Sequence, residues 1–378
     1  MLDLVDGLLE WHASGRHFAV ATVIETFASA PRPAGAAMAV SEDREVLGSI
    51  SGGCVEAATV ALAEDALVSG QPVRERFGIP DAGAFAVGLT CGGTIDVFVT
   101  PFSESMADLL YRVRRAARAS EPSALGVIIA GAGTGTYLSL DRGRLVGTTG
   151  IPGRDRAIAN ALTGMLATGG HALVQVDSGA GEPATVFVHG QLPPPRMLIF
   201  GAVDFAGELS RLGKLLGYHV TVCDARPIFA TAGRFPDADD VIVDWPPRFL
   251  ESVADTLDER SVVCVMTHDP KFDIPLLKFA LALPVAYIGA MGSRQVSTAR
   301  ASQLRDLGVT KRQLDRLHAP IGLDIGGATP MESAVSIAAE LIAVRERRSA
   351  RPLKDSHGPI HSDRRNTSIR PAPAISWE

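Results

Sequence analysis

Met197-Leu198-Ile199-Phe200-Gly201-Ala202-Val203-Asp204-Phe205-Ala206 is the stretch that decides the fold. Four apolar residues read as a buried strand, a glycine ends it, and an apolar-periodic helix opens behind the glycine. His219-Val220-Thr221-Val222-Cys223 then repeats the strand and closes on Asp224, at the spacing of a dinucleotide fingerprint. Three further apolar strands are expected at 241–243, 261–266 and 285–288, with helices around 206–216, 249–257, 274–281 and 293–307. Strand–helix alternation of this kind calls for a parallel sheet with right-handed crossovers. Residues 196–347 are therefore expected to form a Rossmann-like, doubly wound domain. The fingerprint departs from G-x-G-x-x-G/A at its second glycine, which is Val203. A β-branched side chain there crowds the closest approach to a pyrophosphate and disfavours NAD(P). A last helix opens on Thr329-Pro330-Met331-Glu332, an N-cap hydroxyl, a first-turn proline and a capping-box glutamate.

Upstream, Gln191-Leu192-Pro193-Pro194-Pro195 reads as a linker at 191–195, because consecutive prolines cannot continue a helix or an inner strand. Residues 1–190 read as a separate α/β domain of short strands and glycine-rich turns, so the whole chain is α/β. Its elements are an opening helix on Leu4, Leu8, Leu9 and Trp11, a buried strand at 19–24, a helix after Gly53, a strand at 94–99 and a helix at 103–119. One internal echo stands out. Met38-Ala39-Val40-Ser41 followed by Val46-Leu47-Gly48-Ser49 is matched by Tyr137-Leu138-Ser139-Leu140 followed by Leu145-Val146-Gly147-Thr148. Both read as strand, turn, strand and a glycine–hydroxyl step, as in a pair of similar β units. Beyond 347 the chain loses periodicity, and 348–378 reads as a disordered tail.

Length and composition bound the function. A chain of 378 residues suggests two domains, and a net charge of −6 argues against nucleic acid or an anionic membrane as partner. No apolar run approaches the roughly 18 residues of a membrane span. The acidic start, Met1-Leu2-Asp3-Leu4-Val5-Asp6, is unlike a signal peptide. Four cysteines with no Cys-x-x-Cys pair do not make a disulfide framework, which points to the cytoplasm.

Ser51-Gly52-Gly53-Cys54-Val55-Glu56 is the sharpest chemical signal. It places Cys54 at a glycine turn opening a helix, where backbone N–H groups and the helix dipole favour a thiolate. Cys91-Gly92-Gly93 is a second glycine-flanked cysteine, whereas Cys223 and Cys264 lie inside apolar strands and read as core. Gly131-Ala132-Gly133-Thr134-Gly135 leads into a strand and reads as a structural turn. In the second domain, Asp224 occupies the ribose-binding position. Thr267-His268-Asp269 ends a strand where open sheets hold ligands, so His268 is expected to line the crevice. Gly289-Ala290-Met291-Gly292-Ser293-Arg294 opens a helix and makes a phosphate cradle of backbone amides plus Arg294. The phosphate end of a ligand is expected between the Gly201 turn and this one.

Taken in order, several segments resemble the xanthine dehydrogenase accessory family, XdhC/CoxI. In the first domain they are Ala30-Pro31-Arg32-Pro33-Ala34-Gly35, Gly48-Ser49-Ile50-Ser51-Gly52-Gly53-Cys54-Val55-Glu56 and Thr90-Cys91-Gly92-Gly93. In the second they are Pro194-Pro195-Arg196-Met197-Leu198-Ile199-Phe200-Gly201-Ala202, Asp224-Ala225-Arg226, Met266-Thr267-His268-Asp269 and Tyr287-Ile288-Gly289-Ala290-Met291-Gly292-Ser293-Arg294. Pro320-Ile321-Gly322-Leu323-Asp324-Ile325-Gly326-Gly327-Ala328-Thr329-Pro330 completes the set.

The resemblance implies a homodimeric factor that binds molybdenum cofactor as cargo, a molybdopterin with or without an added nucleotide. It further implies sulfuration of that cargo with a cysteine desulfurase and delivery to a molybdenum hydroxylase apoenzyme. Cys54 and Cys91 are then the reactive residues, and Gly52, Gly53, Gly201, Asp204, Asp224, Arg226, His268, Gly289, Ser293 and Arg294 the cofactor-binding set. An accessory factor fits this chain better than a dehydrogenase, since it has no cysteine framework for an iron–sulfur cluster. The alternative is an NAD(P)-dependent oxidoreductase whose first domain supplies the substrate site, and a third reading is a structural partner without a ligand of its own. The missing phosphate-loop glycine and the two glycine-flanked cysteines favour the first.

Overall fold

The computed structural model describes residues 1–27, 30, 32–78, 93–177 and 183–357. Met1–Pro193 and Pro194–Ser356 form two units.

The first unit begins with α1 (Val5–Ala13), β1 (Phe18–Phe27), β2 (Ala37–Ser41), β3 (Val46–Gly48), α2 (Glu56–Ser69), β4 (Val73–Phe77) and β5 (Thr94–Pro101). After α3 (Glu104–Arg118) come β6 (Ser123–Ala130), β7 (Tyr137–Asp141), β8 (Arg144–Val146), α4 (Pro152–Thr168), β9 (Gly170–Val176) and β10 (Ala184–Gln191). The strands form two antiparallel sheets, ordered β3-β2-β1-β5-β4 and β8-β7-β6-β10-β9. One topology is therefore used twice. The echo in the sequence is its trace, and the likeness extends into the irregularities. In β1 the pairing with β5 slips between Val23 and Glu25, and the β6–β10 pairing slips at the matching place, between Thr185 and Val186. Gly35 N–H donates to Val23 O at 2.7 Å and Gly135 N–H to Ile128 O at 2.8 Å. Gly48 and Gly147 both take positive φ, and a Cβ on either would lie under 3 Å from the Ala37 or Tyr137 carbonyl of the neighbouring strand. Only glycine fits that approach.

The helices match as well. Thr59, Ala63 and Ala66 are the buried residues of α2, and Ile158, Leu162 and Met165 occupy the same spacing in α4. On β6 the period-two alternation serves both sides. Leu125, Val127 and Ile129 join the core of the first sheet, while Ala124 and Ile128 pack under α4.

The second unit contains β11 (Arg196–Phe200), α5 (Asp204–Leu215), β12 (His219–Asp224), β13 (Asp240–Val243), α6 (Pro246–Val253), β14 (Val262–Val265), α7 (Pro270–Ala280), β15 (Tyr287–Ala290), α8 (Arg294–Asp306), α9 (Lys311–Leu314), β16 (Leu317–His318) and α10 (Pro330–Arg345). Its strands pair in parallel in the order β13-β12-β11-β14-β15-β16. This is the Rossmann order, with its switch point between β11 and β14. Leu209, Ala334 and Ile337 pack on one face, and Leu250, Leu277 and Leu304 on the other. The sheet is doubly wound, as expected. The capping box of α10 forms as read: Thr329 Oγ1 accepts from Glu332 N–H, and the Glu332 carboxylate accepts from Ala328 and Thr329 N–H. Helix α7 starts four residues before its expected start, because Asp269 caps Lys271 N–H and Pro270 takes the first turn, leaving Pro275 inside the helix.

Candidate functional site

Strand directions send the first unit's motif-bearing connections off one end of the first sheet. β1 ends at Phe27, opposite Thr94 at the start of β5, and β4 ends at Phe77, opposite Ile95. β3 runs parallel to β1 and ends at Gly48. The β1–β2, β3–α2 and β4–β5 connections therefore all leave the same end of the first sheet. The first carries Arg32, the second Cys54, and the third is the stretch in which Cys91 falls. Cys91 itself lies outside the described residues.

Cys54 is half-buried in the β3–α2 loop. The helix starts at Glu56, after the cysteine rather than at it. The N–H groups expected to face the sulfur converge instead on the Glu56 carboxylate. Oε1 accepts from Ser51 N–H at 2.9 Å, Gly52 N–H at 2.8 Å and the Ser49 hydroxyl at 2.8 Å. Oε2 accepts from Gly53 N–H at 2.8 Å, Val55 N–H at 3.2 Å and the Ser51 hydroxyl. Burial pushes the Glu56 carboxyl up, but the hydrogen bonds from Ser51, Ser49 and the backbone outweigh it and hold it at about 2. Gly52 and Gly53 take φ of +80° and +121° with open space around them, so it is backbone conformation that calls for glycine. Their amides are committed inside the protein and not offered to a ligand. Gly52 and Gly53, expected in the cofactor-binding set, here donate their N–H groups to Glu56 instead.

Asp224 in the second unit is equally committed. Its carboxylate accepts from Ala202 N–H at 2.8 Å, Arg226 N–H at 2.9 Å and the Arg226 guanidinium at 2.8 and 2.9 Å, and it is nearly fully buried. Burial raises its pKa, but Arg226 and the two backbone donors more than reverse this and leave it below the ordinary carboxylate range. Asp224 pins the Gly201 turn to β12. Gly201 itself, at φ +111°, is needed because a Cβ would sit 2.8 Å from Thr267 Cγ2 and 3.0 Å from Thr267 N. Asp204 is the first residue of α5, where it sets its own carboxylate at the helix N-terminus. Arg234 pairs with it at 3.1 Å and also donates to Ala202 O. The β12–β13 connection thus folds over the turn, with Arg226 stacked on Phe229 at 4.4 Å.

The end of β14 stands between the Gly201 turn and the turn after β15, with Thr267 packed against Gly201. His268 is exposed there. Gly289 lies within β15 and not in the cradle, and a Cβ on it would meet Ile321 and Tyr287. Ser293 caps α8 by accepting from Val296 N–H. Arg294 is exposed and meets the equally exposed Asp324 at 3.5 Å, a contact that solvent screens almost completely. The concave space next to this turn is a cavity of about 290 Å³ lined by Met291, Gly292, Asp324, Gly327, Ser333 and Ser336 among others.

Sequence reading missed the roles of Glu56, Ser49, Arg234 and the buried Asp273–Arg300 pair. The signal for Glu56 was present. Ser49 and Glu56 are seven residues apart, as are Thr148 and Asp155, and the Thr148 hydroxyl donates to Asp155 as Ser49 does to Glu56. Among the described residues, no three His, Cys, Asp or Glu side chains are grouped to hold a metal, and no helix is long and apolar enough to cross a membrane.

The sequence matches the XdhC and CoxI family over residues 11–78 and the XdhC Rossmann domain over residues 197–341. The chain belongs to the XdhC/CoxI family. A Bacillus subtilis protein named as a probable xanthine dehydrogenase component is 27% identical over 91% of this chain and 97% of its own length. The molybdenum cofactor insertion chaperone PaoD of Escherichia coli is 25% identical over 88% of this chain and 85% of its own. A crystal structure described as a xanthine dehydrogenase from Bacillus halodurans superposes with a TM-score of 0.69 at 26% identity, covering 93% of this chain and 98% of that one. The XdhC and CoxI match includes Cys54 and Glu56, and the XdhC Rossmann match includes Asp224 and Arg294.

Proposed function

We propose that this protein binds molybdenum cofactor as cargo, shields it, assists its sulfuration with a cysteine desulfurase and delivers it to a molybdenum hydroxylase of the xanthine dehydrogenase or CO dehydrogenase type. The observation that carries the proposal is the half-buried Cys54 at the sheet end from which three motif-bearing connections leave, on a loop whose backbone donors are already satisfied. A thiol so placed can offer a soft sulfur to a molybdenum centre or accept and release sulfur, which a hydroxyl cannot do. Cys91, outside the described residues, is assigned as the second reactive cysteine on its glycine-flanked motif alone. Arg294 and the amides at the start of α8 are assigned to the phosphate of the cargo. The homodimer and the cytoplasmic setting belong to the same proposal, which the names of PaoD and the Bacillus subtilis relative support at family level.

The Rossmann strand order favours a second reading, an NAD(P)-dependent oxidoreductase. Local chemistry counts against it: the ribose-binding carboxylate is saturated by Arg226 and Ala202, and Asp204 places negative charge where a pyrophosphate would rest. Two measurements separate the readings. Cys54→Ser should lower co-purified pterin, read as fluorescence after oxidation, and reduce activation of an apo-hydroxylase, with the melting temperature within about 1 °C of wild type. Calorimetry with NAD and NADP should show no micromolar binding, and micromolar binding would promote the oxidoreductase.

A further inference from the structure

The two halves of the first unit carry the same loop in two states, and the difference between them assigns a role to Glu56. From β3 through α2 to β4 the first half aligns without a gap on β8, α4 and β9. Gly48 falls on Gly147, Ser49 on Thr148, Glu56 on Asp155 and Gly70 on Gly169. Both loops are organised by the carboxylate. Asp155 accepts from Thr148 Oγ1 at 2.6 Å and from Thr149 N–H at 2.8 Å. In the second half the helix begins at Pro152, whose counterpart is Gly53, so α2 starts three residues later than its copy. Residues 53–55, helical in the copy, are unwound in the first half; the Gly53 and Val55 amides turn onto the longer Glu56 side chain, and the Cys54 amide donates to the Ser51 hydroxyl that Glu56 itself holds. The residue lifted out of the helical turn by this unwinding is Cys54, where the copy has Gly153.

We infer that Glu56 is the positioning residue for Cys54. Its carboxylate stands in for the missing helical turn and fixes the sulfur's exposure and its electrostatic surroundings. The inference rests on the proposed role of Cys54 and adds what controls that thiol. A merely fold-stabilising carboxylate would do what Asp155 does, holding a loop with no thiol to present. The structure shows both cases in one unit, so the copy is the control.

The test is the pH profile of Cys54 labelling by iodoacetamide in the full-length protein, read by peptide mass spectrometry. Glu56→Gln removes the charge two residues from the sulfur and sets an amide N–H₂ against the loop's donors. The thiolate should then form about one pH unit lower, with labelling at pH 7 roughly tenfold faster. Glu56→Asp keeps the charge and should stay within about threefold of wild type. Asp155→Asn perturbs the equivalent loop in the copy and should leave the Cys54 profile unchanged. Ser49→Ala, which removes one donor to Glu56, should shift the profile in the same direction by less, and it serves if Glu56→Gln does not fold. A wild-type profile in both Glu56→Gln and Ser49→Ala overturns the inference, as does an equal shift in Asp155→Asn. Labelling requires no cargo, so the two claims fail separately. A Glu56 effect with full pterin retention in Cys54→Ser sinks only the functional reading, and the converse sinks only the positioning.

Discussion

Replacing Arg300 should damage the second unit more than any surface change near the candidate site. Arg300 on α8 and Asp273 on α7 are 4% and 2% exposed and pair at 2.9 Å. Arg300 also donates twice to Met291 O at 3.1 Å, and Asp273 accepts from the Thr267 hydroxyl. The pair thus ties the end of β14 to the turn that opens α8. Arg300→Met leaves the Asp273 carboxylate buried with the Thr267 hydroxyl as its one remaining side-chain donor among the described residues, a loss of about 3–5 kcal/mol. At about 2–4 °C per kcal/mol for a domain of this size, the unfolding transition should drop by roughly 6–20 °C. Asp273→Asn should fall at the low end, since Arg300 keeps its bonds to Met291. Asp273→Leu with Arg300→Met removes both charges together and should return to within about 1–2 kcal/mol of wild type. Calorimetry of the full chain measures the loss, and hydrogen exchange at β14 and β15 amides assigns it to this unit. Single variants that each cost under about 1 kcal/mol would show that the pair behaves as a solvated surface contact and refute the reasoning.

Two further outcomes follow from the carboxyl and thiol environments. The folded Glu56 pKa of about 2 lies below its ordinary 4.5, so the stability it gives the loop is complete above pH 4.5 and is lost as pH falls toward 2. Exchange at Gly52 and Gly53, corrected for intrinsic rate, should rise across that window in wild type and not in Glu56→Gln; equal protection at pH 6 and pH 2.5 would contradict this. Burial pushes the Cys223 and Cys264 thiols up to about 12, so both should label far more slowly than Cys54 under substoichiometric iodoacetamide. Labelling of either strand cysteine at the Cys54 rate would show that the sheet opens.

The Rossmann unit was legible because its signals are local. Apolar strands end at glycines and helices start at caps, and each can be read within a few residues, down to the Thr329–Glu332 box. What the sequence hid was where the polar groups spend their hydrogen bonds. Asp224 reads as a ribose ligand from its spacing, yet Arg226, two residues away, closes on it. Gly289 reads as part of a phosphate turn, yet its place in β15 is set by pairing with Cys264 and His318 and by Ile321 above it. α4 escaped reading because its buried stripe is sparse, Ile158, Leu162 and Met165 set among alanines and polar residues. The edge strands β4 and β9 carry mixed polar residues and show their role only through pairing with β5 and β10.

The duplicated first unit explains why its motifs cluster so unevenly along the chain. Corresponding positions on the two sheets keep the same contact and differ in its chemistry. Asp96 on β5 accepts from Arg74 and Arg76 on β4, at 2.7–2.9 Å, and is almost fully buried. The matching positions on β9 and β10 are Leu173, Gln175 and Thr185, and there Gln175 donates to Thr185 at 2.9 Å. The neutral pair supplies the cross-strand contact the fold requires, so the charged triad is not needed for pairing. Its half-exposed guanidiniums lie close to the sheet end that also bears Arg32 and Cys54, with Glu25 of β1 acting on Arg76 as a second carboxylate. The Gly53–Cys54 step likewise faces Pro152–Gly153 in the copy, where the helix simply starts earlier. Each departure from the simpler copy adds charge, a thiol or an unwound turn at one end of one sheet. The copy folds without them, and their common location supports the proposed role of this end of the sheet.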